Sequence, residues 1–111
     1  MLLGKILSLS AMQEDKNVAW LPAYGPEVRG GAAHCAVVIS DAPIGSPFIP
    51  KADTLIVMSQ AAMDKFHARI RPRGLIVING SMVKDVFGCR NTLNFNFSEL
   101  SKSLSEPRVL N

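Results

Sequence analysis

A strand, a helix and a second strand follow one another in the middle of this 111-residue sequence, and no other feature constrains the fold as strongly. Residues 54–58 and 75–79 are short apolar runs rich in β-branched side chains, which is typical of buried strands. Residues 59–70 have helical periodicity, with Ser59 as the predicted N-cap and Pro72 at the predicted end. A strand–helix–strand unit implies parallel strands joined by a right-handed crossover. The sequence therefore predicts the α/β class.

The segments before this unit predict one further helix and two further strands. Apolar residues recur at helical spacing over residues 2–12, which predicts a short helix with a broad buried face. Residues 17–21 predict a short strand that Pro22 stops, because proline has no amide hydrogen to donate. Residues 33–40 form the most apolar run, which predicts a central strand buried on both faces.

The segments after the unit predict a loop, a strand and a helix. Residues 80–89 have loop character and residues 91–95 predict a short strand. Ser98 is the predicted cap of a helix that starts at Glu99 and stops before a proline. A chain of this length predicts a single domain with one modest core.

Composition excludes several classes of protein. The formal net charge of +3 and only seven aromatic residues give no basic surface interleaved with stacking side chains, so no nucleic-acid partner is expected. The one local group of cations, Arg69, Arg71 and Arg73, is interpreted as following a helix end. Cys35 and Cys89 lack the paired spacing of a zinc site, so no metal is expected. The two cysteines are interpreted as cytosolic thiols, which predicts a cytoplasmic location. No apolar run has the roughly 20 residues that span a bilayer, so no membrane partner is expected.

A loop at residues 24–31 combines an aromatic side chain, both signs of charge and backbone freedom. Exposed amides at Gly30 and Gly31 beside the guanidinium of Arg29 could form a concave site for a phosphate or carboxylate. The alternative is a tight turn in which Arg29 pairs with Glu27 in solvent. Tyr24 opens the loop, and Trp20 shortly before it is interpreted as a core or subunit-interface residue.

Other reactive residues are weaker candidates. His34 and Cys35 are adjacent in a predicted strand, so they point to opposite faces and form no catalytic pair. No catalytic residue is predicted in this chain. Ser81 follows a buried parallel strand, where α/β folds place ligand-binding loops, and it is a weaker candidate for the same surface as the loop at 24–31.

The order of these motifs resembles the gamma subunit of 2-oxoacid:ferredoxin oxidoreductases. The resemblance is carried by the run from Lys16 to Gly31, which contains Tyr-Gly-Pro-Glu-Val-Arg-Gly-Gly, and continues through His34-Cys35 and residues 44–47 to residues 74–81. It covers nearly the whole chain. The resemblance implies a three-layer α/β/α sandwich with a largely parallel or mixed central sheet.

The resemblance also implies the reaction and the partners. Such enzymes decarboxylate a 2-oxoacid, such as pyruvate or 2-oxoglutarate, to an acyl-CoA and pass electrons to ferredoxin. Thiamine diphosphate, magnesium and iron–sulfur clusters are expected in the partner alpha, beta and ferredoxin-like delta subunits, and none in this chain. Coenzyme A is the expected co-substrate. The residues expected to face coenzyme A or a partner subunit are Tyr24, Glu27, Arg29, Gly30, Gly31 and Ser81.

The sequence departs from this family at both ends. A first strand with a Gly-x-Gly-Gly-Gln-Gly turn is expected before the first helix, whereas this sequence starts inside that helix, and the last helix stops soon after Pro107. The expected fold is therefore one gamma-type domain over residues 1–111 that is incomplete at both termini. The alternative function is a shortened, non-catalytic remnant that acts as a binding or scaffold protein. An independent nucleotide-binding enzyme is disfavoured, because no complete glycine-rich phosphate loop is present.

Overall fold

The computed structural model describes residues 1–23, 33–88 and 91–104. Contacts divide the chain into two compact units, Met1–Ile49 and Pro50–Asn111. In chain order the first unit contains α1 (Leu2–Gln13), β1 (Asn17–Ala23) and β2 (His34–Ser40). The second contains β3 (Ala52–Val57), α2 (Gln60–Phe66), a 3₁₀ turn (His67–Arg69), β4 (Ile70–Asn79), β5 (Thr92–Phe95) and α3 (Phe97–Ser103).

The first unit is an antiparallel strand pair with α1 packed on it. β1 and β2 pair from Asn17 opposite Ser40 to Ala23 opposite His34. α1 lies close to these strands through its small residues, because Gly4 and Ser8 are its buried positions. A Cβ atom at Gly4 would overlap with Cys35 Sγ, so glycine allows the close approach of helix and sheet.

The predicted buried face of α1 is wrong within this chain. The large apolar side chains that define its periodicity are all exposed, at 37% to 51% of their full accessible area: Leu2, Leu3, Ile6, Leu7 and Leu9. The helix is apolar nearly all round, and periodicity alone does not tell which side meets the sheet. The strand pair receives the narrow side with Gly4 and Ser8, and the leucines are left outside.

The two strands of this unit also differ from the sequence prediction. Pro22 does not stop β1, which continues to Ala23 with Pro22 opposite Cys35. Among the described residues β2 pairs only with β1, and most of its side chains are half-buried rather than buried on both faces. A proline is tolerated in β1 because one side of this strand has no hydrogen-bonded neighbour in the described chain.

The second unit is a parallel sheet of three strands in the order β3, β4, β5. Its core is formed by side chains from β3, α2, β4 and the following loop: Val57, Met63, Ile76, Ile78 and Val83. The predicted strand–helix–strand unit is confirmed, and so is the α/β class.

The ends of α2 follow the prediction at one terminus only. The Ser59 hydroxyl caps the helix by accepting the amide hydrogen of Ala62 at 3.3 Å. The α-helix ends at Phe66, earlier than predicted, and the chain passes through the 3₁₀ turn into β4 at Ile70. Pro72 therefore lies inside β4, among residues 71–74, which fall outside the paired register with β3, so its missing amide hydrogen breaks no ladder hydrogen bond.

The cap of α3 is Asn96 and not Ser98. The Asn96 side chain accepts the amide hydrogen of Glu99 at 3.1 Å, and the helix runs from Phe97 to Ser103. Asn and Ser are about equally good caps, so the sequence permits either register. The hydroxyl of Ser98 is used elsewhere, at the end of β4.

Candidate functional site

The candidate site lies at the carboxyl end of β4, where the chain leaves the parallel sheet. β4 supplies the buried apolar residues Ile76 and Ile78 and then ends in Asn79, which is only 1% exposed. Gly80 and Ser81 follow in a turn. Ligand-binding loops of open α/β sheets lie at this end of the strands. A buried amide at this position requires polar partners, since an unpaired one costs about 1 to 3 kcal/mol.

Asn79 finds those partners in a closed ring of side chains. Its Nδ2 donates to Ser98 Oγ at 3.3 Å, and its Oδ1 accepts from Ser81 Oγ at 2.9 Å. The two serine hydroxyls are 2.9 Å apart. Each hydroxyl has one proton, so all three bonds form together only if Ser98 donates to Ser81 and Ser81 to Asn79. We call Asn79, Ser81 and Ser98 the polar ring.

The polar ring joins the end of β4 to the start of α3. Asn79 Oδ1 also accepts the backbone amide hydrogen of Phe97 at 3.1 Å, and the backbone amide of Gly80 donates to Phe95 O at 2.8 Å. A Cβ atom at Gly80 would overlap with the side-chain amide of Asn94 on β5. The turn at residues 80–81 is therefore held against both the neighbouring strand and the next helix.

A second set of contacts holds the following loop on α2. Gln60 Oε1 accepts the amide hydrogens of Lys84 and Asp85 at 2.7 and 3.0 Å, and Gln60 Nε2 donates to Asp85 O at 3.1 Å. Further along, the ring of Phe87 stacks on His67 with 4.1 Å between centroids. The loop that leaves the carboxyl end of the sheet is thus fixed at both of its ends.

Only one of the predicted site residues lies in the described part of the chain. Ser81 is half-buried, and its proton is used within the polar ring, which leaves an acceptor lone pair for any ligand. The other five fall in residues 24–32, outside the described residues: Tyr24, Glu27, Arg29, Gly30 and Gly31. Their role, and that of Ser81 toward coenzyme A or a partner, stays a prediction.

Sequence reasoning missed Asn79, Ser98 and Gln60 as the residues that shape this edge. One signal was available for Asn79, because an amide that directly follows four buried or half-buried apolar residues must be hydrogen-bonded. Ser98 was interpreted as a cap, and Gln60 lies on the first turn of a helix whose polar face gave no indication of a loop contact.

The remaining candidate chemistry is limited. In residues 1–23, 33–88 and 91–104 no group of three or more His, Cys, Asp or Glu side chains could hold a metal ion. Cys35 is a half-buried free thiol, and Cys89 is outside the described residues. The helices of the described chain are each too short or too polar to cross a membrane.

The whole chain, residues 1–111, matches the protein family described as pyruvate ferredoxin/flavodoxin oxidoreductase. The chain belongs to this family. A solved structure agrees: the gamma subunit of a keto/oxoacid ferredoxin oxidoreductase from Geobacter sulfurreducens superposes with a TM-score of 0.80 at 27% identity, over 98% of this chain and 62% of that one. The predicted resemblance to a gamma subunit is therefore confirmed.

Two relatives within the family have named activities. Ketoisovalerate oxidoreductase subunit VorA of Methanothermobacter thermautotrophicus is 30% identical over 109 residues, which is 98% of this chain and 23% of that protein. 2-Oxoglutarate synthase subunit KorC of Methanocaldococcus jannaschii is 40% identical over 83 residues, covering 74% of this chain and 44% of that protein. The chain thus spans less than half the length of either relative.

Proposed function

We propose that this chain is a gamma-type subunit of a 2-oxoacid:ferredoxin oxidoreductase. It would support the oxidative decarboxylation of a 2-oxoacid to an acyl-CoA, with electrons passed to ferredoxin. The match of residues 1–111 to the family carries this proposal. Within this proposal, thiamine diphosphate with magnesium and the iron–sulfur clusters belong to alpha, beta and ferredoxin-like delta partners in the cytoplasm.

The exposed side of α1 supports a role as a subunit. Leu2, Leu3, Ile6 and Leu9 form what we call the outer face of α1, and Trp20 with Met1 and Lys5 lines a shallow apolar hollow beside it. Several large apolar side chains exposed together on one helix are typical of a protein–protein interface.

The overall proposal is tested by purifying the native complex that contains this chain. Viologen reduction is then assayed with coenzyme A and with pyruvate, 2-oxoglutarate or ketoisovalerate in turn. Co-purification of thiamine-binding partners with coenzyme A-dependent activity is the expected result. Recovery of the chain with partners that reduce no viologen would contradict the proposal and favour the non-catalytic scaffold.

Replacing Ile6 by glutamate is expected to weaken assembly at least about tenfold, because burying an unpaired charge in an apolar interface is costly. Ile6 is 51% exposed, so the isolated chain should still fold. Affinity is measured by titrating the tagged chain against its purified partner subunits. The control is Phe48→Glu, since Phe48 is 74% exposed and lies in an irregular segment of the same unit. Equal losses for both variants would contradict an interface at the outer face of α1.

Replacing Arg29 by alanine is expected to raise the KM for coenzyme A about tenfold, with a smaller change in kcat. The reason is that a guanidinium beside exposed amides binds phosphate through charge-assisted hydrogen bonds. Initial rates in the assembled enzyme at varied coenzyme A give both constants. Arg69→Ala is the control, because Arg69 is an exposed arginine whose guanidinium lies 5.9 Å from the Phe66 ring. Unchanged kinetics for Arg29→Ala would show that Arg29 has no such role.

A further inference from the structure

A second feature of the parallel sheet is a bulge in β4. Ala52 of β3 is opposite Ile70 of β4, whereas Thr54 is opposite Leu75, so β4 has three more residues than β3 between these pairs. Residues 71–74, which lie opposite the single residue Asp53, leave the regular ladder as a bulge. Bulges are typical of places where a strand re-aims a side chain. Here the bulge carries two arginines, Arg71 and Arg73.

Lys51 and the two arginines line one cleft on this unit. The cleft has a volume of about 570 Å³ and a partly apolar wall from Ile70 and Ile76. None of the described residues that line it is acidic. Its volume is within the range of small-molecule sites, which is roughly 300 to 1,000 Å³. We call it the arginine cleft.

The three cations of the arginine cleft differ in their hydrogen-bond and ion-pair partners. Lys51 Nζ donates to Ala68 O at 2.6 Å, and Arg71 Nη1 donates to Asp53 Oδ1 at 2.7 Å. In the described chain the guanidinium of Arg73 has no hydrogen-bond or ion-pair partner. Asp53 is 80% exposed in its side chain, so its ion pair with Arg71 is readily exchanged for another anion.

The backbone at Arg73 is fixed in an uncommon conformation. Its φ angle is +66°, in the left-handed region that side chains other than Asn, Asp and Gly rarely adopt. The Asn91 side chain donates to the carbonyl oxygen of Arg73 at 3.3 Å and fastens this conformation. The guanidinium that lacks a partner is thus held on a defined backbone at the side of a cleft.

We propose that the arginine cleft binds a phosphate group of a small molecule, with Arg73 as its main ligand and Arg71 and Lys51 as supporting cations. A guanidinium presents paired donors that match phosphate geometry. A small ligand is favoured over an acidic protein surface because the site is concave and has an apolar wall that a ligand body can cover. The proposal is independent of the role given to Arg29 and of the oxidoreductase activity.

The test is calorimetric titration of the full 111-residue chain with inorganic pyrophosphate and with adenosine diphosphate at low salt. We expect both to bind, and adenosine diphosphate to bind more tightly if the ligand is a nucleotide rather than a free phosphate. Arg73→Asn should weaken binding about tenfold or more, since it removes a charge-assisted contact. Asparagine tolerates the left-handed conformation, so this variant keeps the backbone.

Two matched controls separate the cleft from general charge. Arg69→Gln removes the same charge outside the cleft and should change affinity less than about twofold. Asp53→Asn should strengthen binding about threefold or more by releasing Arg71, whereas Asp64→Asn on α2 should have no comparable effect. Equal effects of Arg73→Asn and Arg69→Gln would overturn the proposal. Binding of polyglutamate that depends on Arg73, without binding of either phosphate compound, would overturn it in favour of an acidic protein partner.

Discussion

Replacing Asn79 by alanine is expected to lower the free energy of unfolding of the second unit, called here the parallel unit, by about 3 kcal/mol. The substitution removes the acceptor for the Phe97 amide and for Ser81 Oγ, and the donor to Ser98. Asn79 is almost fully buried, so water cannot replace its side chain without a rearrangement. The measurement is urea unfolding followed through the amide NMR signals of β3 and β4.

The control for this prediction is Asn94→Ala. Asn94 is the residue of β5 opposite Ile78, and its side chain is exposed, so we expect a loss below about 0.5 kcal/mol. Ser81→Ala and Ser98→Ala each remove two of the three hydrogen bonds of the polar ring at a half-buried hydroxyl and should each cost about 1 kcal/mol. Because the ring is closed, the double variant should cost less than the two single losses combined. A loss for Asn79→Ala no larger than that for Asn94→Ala would show that the polar ring does not hold this edge together.

The parallel unit is the part of the fold that the sequence predicts best. Its apolar runs are short, β-branched and separated by a helix-length segment, so local pattern and tertiary pairing agree. The strand at residues 75–79 was predicted and lies in β4, which extends to Ile70 on its amino side. The sequence does not predict that extension, because neither the pairing of Ile70 with Ala52 nor the four-residue bulge can be inferred from strand propensity.

The first unit was predicted in outline and wrongly in orientation. The periodicity of residues 2–12 correctly indicates a helix, observed as α1. It does not indicate that Gly4 and Ser8, rather than the leucines, meet the strand pair, because large apolar residues usually define the buried side. Because Gly4 has no Cβ atom, α1 approaches the strand pair closely on the side that carries Gly4, and this side is buried in place of the leucines.

The candidate site, too, was predicted only in part. The position of Ser81 after a parallel strand was predicted, whereas its hydrogen bonds to Asn79 and Ser98 depend on a helix more than a dozen residues away. The predicted anion loop with Arg29 lies outside the described residues, so its chemistry still depends on the motif alone. Motif order identified the family because it draws on many positions, while single contacts depend on tertiary geometry.

Replacing Met63 by alanine is expected to lower the free energy of unfolding by about 3 kcal/mol. Met63 has no exposed area and packs from α2 against Val57, Ile76 and Ile78 in the core of the parallel unit. The substitution would lose the transfer free energy of the removed methionine atoms. It would also leave a cavity between helix and sheet, which a core this small cannot close by collapse.

Met82→Ala is the matched control for Met63→Ala, because Met82 lies in the same unit and is 54% exposed. The same chemical change should there cost less than about 0.5 kcal/mol. The amide NMR signals of β3 and β4 again report the unfolding, and those of β1 and β2 are recorded in the same titration. If α2 did not cover the sheet, both variants would unfold at the urea concentration of the unmodified chain. The expected result is a lower midpoint for Met63→Ala alone, because Met63, unlike Met82, is buried between α2 and the strands that carry the polar ring and the arginine cleft.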